Sequence, residues 1–451
     1  MSHVLSEELI ELVKTLIREE SRLPLKKLID EMPPADAADL IEHLDHDERL
    51  QIFELLRPEG AGEVLLEMEA PVQERILSDL DNEAITEIVQ GLDSDDAADL
   101  VGDLPEDRAR QILETVGEDV SAELKTLLPY PEDTAGGIMA LEYVAVNAES
   151  TVQEAIEMIR SKRKEVENVY YLFVVDDLQR LVGVVSLKDL VLETPKRRVK
   201  EIMNSEVVSV DVHADQEEVA HLVKKYDLVS IPVVDHHHRL VGRITHDDII
   251  DVIEEEADED MALMAGVIHQ EIAEESPFKI SRARLPWLMV GLFGEILAAT
   301  VISRFESSLA KIVAVSFFFP VIMAMGGNTG TQAATVAVRG LATGDISIMR
   351  IGRRVWLEIR VAVLNGAVCG VILGLIIGFW LSDYRLGAVV SISLIIVMFN
   401  SGLVGAGVPL ILKRLNVDPA LATGPFVTTS NDVLGLMIYL SIVTLFLSGS
   451  G

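Results

Sequence analysis

The sequence predicts a multidomain membrane protein that contains an α-helical superhelical domain, a tandem pair of α/β modules and an all-α transmembrane domain of five helices. Three observations predict this fold class. Short acidic helical segments repeat near the N-terminus, two copies of one strand–helix pattern follow, and five long apolar runs fill the C-terminal part. We place the domains at 1–130, 131–199, 200–255 and 277–451, with an acidic connecting helix at 246–276.

The charge of the chain is divided unevenly along its length. The 451 residues carry a net charge of −35, although 49% of them are hydrophobic. Residues 277–451 contain 13 Lys and Arg against 7 Asp and Glu, which leaves 25 against 66 in residues 1–276. A strongly acidic surface repels nucleic-acid phosphates and attracts cations. We therefore expect cations, and no nucleic acid, as partners.

An internal repeat marks the acidic N-terminal domain. The stretches 33–56 and 93–116 align at an offset of 60 residues, so that DAADLIEHL in the first lies opposite DAADLVGDL in the second. Pro or Asp recurs where each short helical segment begins, as is typical of helix N-termini. The pattern predicts an α-solenoid from 20 to 128, whose repeats stack to bury their Leu and Ile faces.

The two α/β modules contain the stretches 169–190 and 228–250. Each has a β-rich run, a polar turn, a second strand with a glycine, and a helix that opens with Asp189 or Asp248. Alternation of short β-rich runs with helical patterns predicts strand–helix units. With the strand and helix that precede each stretch, the order is that of two βαββα modules.

The connecting helix carries an unusually acidic face. The stretch HDDIIDVIEEEADEDMALMAGV at 246–267 places nine Asp and Glu residues on it. So many like charges repel one another and any other acidic surface unless cations lie between them. One interpretation is a plain solvated linker. The other is a surface held to its neighbours by hard divalent cations, which prefer oxygen ligands.

Five apolar runs are long enough to cross a bilayer, which needs about 20 mostly apolar residues. They are 285–303, 312–338, 356–380, 387–412 and 424–447. Arg and Lys concentrate before the first run, between the second and third, and between the fourth and fifth. Because positively charged connections stay in the cytosol, we expect a multi-pass protein of the cell membrane, with its N-terminal domains cytosolic and its C-terminus outside.

Two acidic residues lie deep inside these runs, where burying a charge in hydrocarbon is costly. Asp432 follows the polar stretch TTSN and is the only acidic residue of the fifth run. A carboxylate beside hydroxyl and amide groups indicates a site for a cation. Glu295 lies in the first run, and for it a structural hydrogen bond to a neighbouring helix and a pore-facing role both stay open.

The second run contains the polar stretch GGNTGTQAAT at 326–335. In one interpretation its glycines let helices approach closely, and Asn328 and Gln332 form hydrogen bonds between helices. In the other, Pro320 and the glycines loosen the helix, so that free carbonyl and amide groups line a water-filled path. The presence of Asp432 on another run favours the path.

The α/β modules resemble tandem cystathionine-β-synthase (CBS) domains over residues 138–255. Such pairs often bind adenosine nucleotides, with Ser or Thr and Asp at the start of the last helix contacting the ribose. The resemblance places Ser186, Asp189, Thr245 and Asp248 at these positions. It therefore implies ATP or another adenosine nucleotide as a ligand of the pair.

The whole chain resembles the MgtE family of bacterial magnesium channels over residues 20–447, and the motifs GGNTGTQAAT and GPFVTTSNDVLG are highly specific to that family. The resemblance implies a homodimer in membrane lipid, with a pore on the two-fold axis that the second and fifth spans line. It implies a gate that closes when cytosolic magnesium is high. It assigns the ion path to six residues: Asp432, Gly327, Asn328, Thr331, Gly424 and Thr428.

The same resemblance assigns ligands for regulatory Mg²⁺ to the cytosolic domains, the connecting helix and the loop before the fifth span. These ligands are Glu63, Asp95, Asp99, Gly137, Asp215, Glu217, Asp227, Asp248, Asp251, Glu256, Glu259, Asp260 and Asp418.

The expected function is therefore magnesium uptake through a channel that cytosolic Mg²⁺ closes, with Mn²⁺ or Co²⁺ as further candidate ions. Two alternatives stay open: an ion-coupled divalent-cation carrier that uses Glu295 as a proton site, and a membrane-anchored metal or nucleotide sensor. No nucleophile–base pair, metal-activated water motif or phosphate-binding P-loop is found in the sequence. We therefore do not expect an enzyme.

Overall fold

A computed structural model describes residues 6–163, 166, 169–267, 276–342, 351–415, 417–422 and 424–447. It divides the chain into two compact units, Met1–Ile253 and Glu254–Gly451. The first unit contains the acidic repeats and both α/β modules. The second contains the membrane helices.

Ten short helices of the described chain form the predicted α-solenoid. Pro34 and Pro58 lie at helix starts, and the Asp45 and Glu48 side chains cap the fourth helix from both directions, which satisfies backbone N–H groups that have no partner within the helix. The helices are α1 Glu7–Arg18, α2 Arg22–Asp30, α3 Pro34–Glu42, α4 His46–Phe53, α5 Pro58–Leu66, α6 Ala70–Asp79, α7 Asn82–Val89, α8 Ser94–Gly102, α9 Glu106–Thr115 and α10 Glu118–Leu127.

The structure confirms the internal repeat. Helices α3 and α8 begin 60 residues apart, as do α4 and α9. Leu40 and Leu100, which the alignment pairs, are both fully buried. The apolar faces of successive helices thus form the continuous core that a solenoid requires.

Both α/β modules have the predicted βαββα order. In each, the first strand pairs in parallel with the second, and the second and third form an antiparallel hairpin. The first module has β1 Ala145–Asn147, α11 Val152–Ser161, β2 Tyr171–Val175, β3 Leu181–Ser186 and α12 Leu187–Leu192. The second has β4 Val210–Asp211, α13 Gln216–Tyr226, β5 Ser230–Val234, β6 Leu240–Thr245 and α14 His246–Ala265.

The solenoid and the second α/β module share one hydrophobic core within the first unit. Leu124 and Leu127 of α10 belong to the same cluster as Val212, Val219 and Ile249 of the module. Burial of apolar side chains is the dominant favourable contribution to packing. It therefore holds the solenoid against the module that begins the connecting helix.

The connecting helix α14 ends earlier than the predicted boundary at residue 276. Gly266 follows Ala265 with φ of 72°, a left-handed conformation that glycine adopts readily at helix ends. Its N–H donates to the carbonyl of Leu263. Residues 268–275 of the predicted helix lie outside the described residues.

Five helices of the described second unit are long and apolar enough to cross a membrane, as predicted. The unit comprises α15 Pro277–Arg304, α16 Glu306–Lys311, α17 Phe319–Ala342, α18 Ile351–Leu381, α19 Tyr384–Arg414 and α20 Pro425–Leu447. Short 3₁₀ turns at Val313–Phe318 and Ala420–Ala422 precede α17 and α20.

The interpretation that Pro320 and the glycines loosen the second span is wrong. Helix α17 runs without interruption from Phe319 to Ala342. Pro320 is its second residue, and a proline in the first helical turn removes no hydrogen bond of the helix. The glycines at 326, 327 and 330 have helical neighbours on both sides. Side chains of α17, and not freed carbonyl groups, are thus available to line a path.

We predict that Leu100→Ala destabilises the solenoid by about 2–5 kcal/mol, because truncating a buried leucine removes apolar contacts and leaves a cavity. Leu100 lies on α8 with 1% of its surface exposed. The control is Leu23→Ala, since Leu23 is 83% exposed. Urea unfolding of residues 1–267, followed by circular dichroism, measures both. Equal midpoints for the two variants would contradict the solenoid core.

Candidate functional site

The polar residues of α17 lie on an open face of that helix. Asn328 and Thr335 are exposed and Thr331 is half-buried, and their spacing of three and four residues places them on one side of the helix. Gly327 has open space where a side chain would be. At Gly327 no side chain from another helix of the described chain covers this polar face. An uncovered polar surface is unfavourable against lipid, but it suits an aqueous path.

The neighbouring glycines of α17 pack against other helices. A Cβ at Gly326 would lie 3.1 Å from a Val397 methyl group, and one at Gly330 would overlap Asn431. Asn431, only 1% exposed, donates from Nδ2 to the carbonyl of Gly326 at 3.5 Å. Gly326 and Gly330 therefore serve close packing, as the first interpretation of this stretch predicted, whereas Gly327 faces open space.

The candidate ion-binding residue of α20 lies on that helix one turn after Thr428. Asp432 is half-buried and Thr428 is exposed, and the i, i+4 spacing places them on one face. The Thr428 hydroxyl donates to the Gly424 carbonyl at 3.3 Å. The predicted residues Gly424, Thr428 and Asp432 thus form a polar strip along the first turns of α20.

Glu295, which belongs to α15, lies near Asp432 of α20. Gly294 packs so closely on Thr429 of α20 that a Cβ there would overlap the threonine methyl group. Glu295 is exposed, and its carboxyl group lies close enough to Asp432 for the two groups to interact electrostatically. Asp432, the only acidic residue of its own span, therefore has a second carboxyl group beside it. The structure brings Glu295 near a residue of a neighbouring helix, and both roles left open for it stay predictions.

The end of the connecting helix lies against the start of α20 within the second unit. A Cβ at Gly424 would lie 3.3 Å from the carbonyl oxygen of Met264. Asp418, exposed in the preceding loop, accepts a hydrogen bond from the backbone N–H of Ala420 at 2.8 Å. The acidic helix is thus in direct contact with the span that carries Asp432.

A second group of carboxylates lies in the first unit, where α8 faces the start of α14. Burial, followed by the charges of Asp248 and Asp96, raises the pKa of Asp95 well above its usual range. Burial and the charge of Asp248 raise the pKa of Asp96 to about 7. Burial also raises the pKa of Asp248, against hydrogen bonds from Thr245. Like charges held together in this way favour uptake of a proton or a cation.

Sequence reasoning missed two members of this group. Asp96 follows the predicted Asp95 directly, and the run DSDD at 93–96 was the signal that could have identified it. Glu142 accepts hydrogen bonds from the backbone N–H and the hydroxyl of Ser94, the latter at 2.8 Å, and its charge contributes to the raised pKa of Asp95. No motif surrounds Glu142, so only the fold identifies it.

Three further predicted ligands lie in or just before the second α/β module. Gly137 forms a turn in which a Cβ would overlap the Pro131 carbonyl. Asp215 caps α13 by accepting from the N–H of Glu217 at 2.8 Å. Asp227 ends that helix in a left-handed conformation, with φ of 51°.

The other predicted ligands are more dispersed. Glu63 and Asp99 are exposed on α5 and α8. Asp251 and Glu259 are exposed on α14, whereas Glu256 and Asp260 are half-buried there. Within the described part of the chain, no three His, Cys, Asp or Glu side chains are gathered closely enough to hold a metal ion directly. The oxygen-only donor set fits a Mg²⁺ ion that keeps most of its water.

The candidate nucleotide residues cap helices in both α/β modules. The Ser186 hydroxyl donates to the Asp189 carboxylate at 2.6 Å, and Thr245 donates to Asp248 at 2.6 Å. These equivalent pairs confirm that the two modules share one local structure. Asp248 also belongs to the group of Asp95 and Asp96, so one residue takes part in both candidate sites.

Family models match most of the chain. A model described as divalent cation transporter matches residues 319–442, one described as MgtE intracellular N domain matches 4–133, and the CBS domain model matches 135–195 and 199–255. A solved structure, the cytosolic domain of the Mg²⁺ channel MgtE in complex with ATP, is 37% identical with a TM-score of 0.51. The match covers 53% of this chain and 98% of that one.

Two magnesium transporters named MgtE are also similar to this chain, one of them over nearly its whole length. The Bacillus subtilis protein is 35% identical over 98% of this chain and 98% of its own. The Thermus thermophilus protein is 43% identical over 72% of this chain and 73% of its own. The protein described here belongs to the MgtE family of magnesium transporters.

Proposed function

We propose that this chain is a channel for Mg²⁺ uptake across the cell membrane, which cytosolic Mg²⁺ closes. The observation that carries the proposal is the Asp432 carboxyl group on the polar face of α20, inside the span of a magnesium transporter. An ionisable residue inside a span is rare and marks an ion pathway.

Two copies of the chain complete the path in this proposal. Asn328 and Thr428 are exposed in a single chain, and such polar faces are costly against lipid. In a two-fold dimer they meet across the axis, where two Asp432 carboxylates balance one divalent ion. Mg²⁺ gives up its water reluctantly, so these side chains contact its hydration shell. Such indirect contact is weak enough to release the ion.

In this proposal the acidic surfaces of α8 and α14 make the channel respond to Mg²⁺. At low Mg²⁺ the carboxylates of α8 and α14 repel one another. At high Mg²⁺ hydrated ions lie between them and stabilise the closed arrangement. Helix α14 is continuous from His246 to Ala265, and its end contacts the start of α20 at Gly424. A change in the position of α14 therefore acts on the span that carries Asp432. Magnesium shifts the equilibrium because it binds the closed state more tightly.

The proposed orientation places the acidic domains in the cytosol and the C-terminus outside. Lys279, Arg282 and Arg284 precede the first span, and Lys413 and Arg414 end the fourth. Positive residues near span ends stay on the cytosolic side. The regulatory surface then meets the same Mg²⁺ pool that the channel fills, as feedback requires.

A nucleotide is a second proposed ligand. The related cytosolic domain was solved with ATP, and this chain has equivalent Ser186–Asp189 and Thr245–Asp248 pairs. Because Asp248 also lies beside Asp95 and Asp96, a nucleotide at this residue would alter the same acidic group. ATP would therefore act as a modulator of the magnesium response.

We predict that Asp432→Asn lowers Mg²⁺ uptake at least tenfold, because a pore carboxylate replaced by an amide no longer balances the ion's charge. Growth of a magnesium-uptake-deficient strain and flux in proteoliposomes measure this. The control is Glu306→Gln, an exposed acidic residue outside the five spans. Normal rescue by Asp432→Asn would contradict the channel and would favour a membrane-anchored sensor. Flux that strictly requires a proton gradient would favour a carrier.

We also predict that Mg²⁺ on the cytosolic side closes the wild-type channel, and that Asp251→Ala/Glu259→Ala requires a higher concentration for closure. Fewer carboxylates on α14 weaken the binding of ions that stabilise the closed state. Flux at a series of internal Mg²⁺ concentrations measures the midpoint. Glu114→Ala, which removes an exposed acidic side chain from α9, is the control. Wild-type flux that is independent of internal Mg²⁺ would refute the gating mechanism.

Without divalent cations, we predict that the first unit loses stability as the pH rises from about 4 to about 7. Asp96 has a pKa of about 7 in the folded protein against 3.8 normally. In this range the folded state retains a proton that the unfolded state has lost, so raising the pH destabilises it. Thermal unfolding of the detergent-solubilised chain measures the loss. Mg²⁺ should restore stability above pH 7, and Asp96→Asn should flatten the pH dependence. Stability that rises over this range would contradict the assignment.

A further inference from the structure

Helix α20 fits into a notch in α17. The notch lies between Gly326 and Gly330, two glycines whose spacing of four residues lets membrane helices approach closely. The side chain of Asn431 from α20 occupies it and is only 1% exposed. A Cβ at Gly330 would overlap the Asn431 amide nitrogen. The notch therefore accepts this side chain only because both positions of α17 lack side chains.

Asn431 also joins the two helices through a hydrogen bond. Its Nδ2 group donates to the Gly326 carbonyl at 3.5 Å in a buried place. Successive residues of a helix differ in height by about 1.5 Å. Asp432 and Gly327, the residues that follow Asn431 and Gly326, therefore lie at nearly the same level of the two helices. The fit of Asn431 thus sets the register between the polar strip of α20 and the polar face of α17.

Stability alone does not explain an amide in this position. The Asn431 Oδ1 atom is buried and has no hydrogen-bond partner among the described residues, which costs free energy. A leucine has the same branched shape and would fill the notch without an unpaired polar atom. Local departures from the rules of good packing are expected at functional sites. The departure here lies next to the candidate ion-binding residue.

We propose that Asn431 is a positioning residue, which holds Asp432 of α20 at the level of Gly327 and Asn328 of α17. Groups from both helices then contact the hydration shell of one Mg²⁺ ion. A site held in its binding geometry loses less conformational freedom when the ion binds. This inference rests on the proposed channel, and it adds the residue that fixes the register of the two helices along its path.

The test compares Asn431→Leu with the wild type in proteoliposomes that contain the full chain. Leucine cannot donate the hydrogen bond. Asn431→Leu should raise the Mg²⁺ concentration for half-maximal flux about fivefold, the equilibrium ratio that one neutral hydrogen bond is worth. The unfolding temperature of the detergent-solubilised variant should not fall, because leucine leaves no unpaired polar atom. The matched control is Asn365→Leu, which replaces an exposed asparagine of α18 and should keep the wild-type half-saturation.

An exchange of side-chain size tests the fit in the notch. Gly330→Ala should also raise half-saturation, because its methyl group overlaps the Asn431 amide. Asn431→Ser, a second variant that is too short to reach the Gly326 carbonyl, should raise it about fivefold as well. Gly330→Ala/Asn431→Ser should be no worse than Asn431→Ser alone, since effects of residues in contact do not add. Gly291→Ala is the glycine control, because its methyl group would meet no atom of the described chain within 4 Å.

Two results would overturn the inference while leaving the channel intact. One is a wild-type half-saturation value for Asn431→Leu and Asn431→Ser, with Asp432→Asn inactive in the same assay. A lower unfolding temperature beside it would give Asn431 a purely structural role. The other is an additive loss in Gly330→Ala/Asn431→Ser. Absence of Mg²⁺ flux in the wild type would instead overturn the proposed function and this role together.

Discussion

The structure depends on one electrostatic constraint: carboxyl groups from separate elements are brought close together. In the first unit these are Asp95, Asp96 and Asp248, and in the second they are Glu295 and Asp432. Apolar packing of α10 on the second α/β module and of Gly294 on Thr429 imposes both arrangements. Each group is unfavourable when fully ionised and is stabilised by a proton or a cation.

In the proposed channel, the two acidic groups make different demands on the same ion. A path must release Mg²⁺ quickly, so contact through retained water suits Asp432. A sensor must convert a concentration into a change of state. It therefore needs ions that remain long enough to bias an equilibrium. The sensor can use many weak contacts spread over α8 and α14, because their contributions add. In this proposal, the described acidic residues of the first unit need no compact cage for a bare ion.

The sequence was sufficient to predict the solenoid repeat, both βαββα modules and all five spans. Each of these features shows a characteristic residue pattern or run length within a short stretch of the sequence. Family membership confirms that the chain is a transporter and not an enzyme. The sequence could not predict which side of each membrane helix faces its neighbours. Only the fold shows that Gly326 packs inward while Gly327 faces open space. The proximity of Glu295 to Asp432 could not be predicted either, because the two residues are far apart in the sequence and no shared motif joins them.

In the proposed gating mechanism, the number of acidic residues on the regulatory surfaces follows from the energy that gating requires. Moving a channel from mostly open to mostly closed takes about 5.5 kcal/mol of differential binding. One exposed ion contact contributes about 1 kcal/mol or less, because water screens it. Several ions must therefore bind together, and partly buried groups such as Asp96 and Asp248 must contribute more than exposed ones. In this proposal the contributions act on α14, which is one continuous helix whose end contacts Gly424, next to the span that carries Asp432.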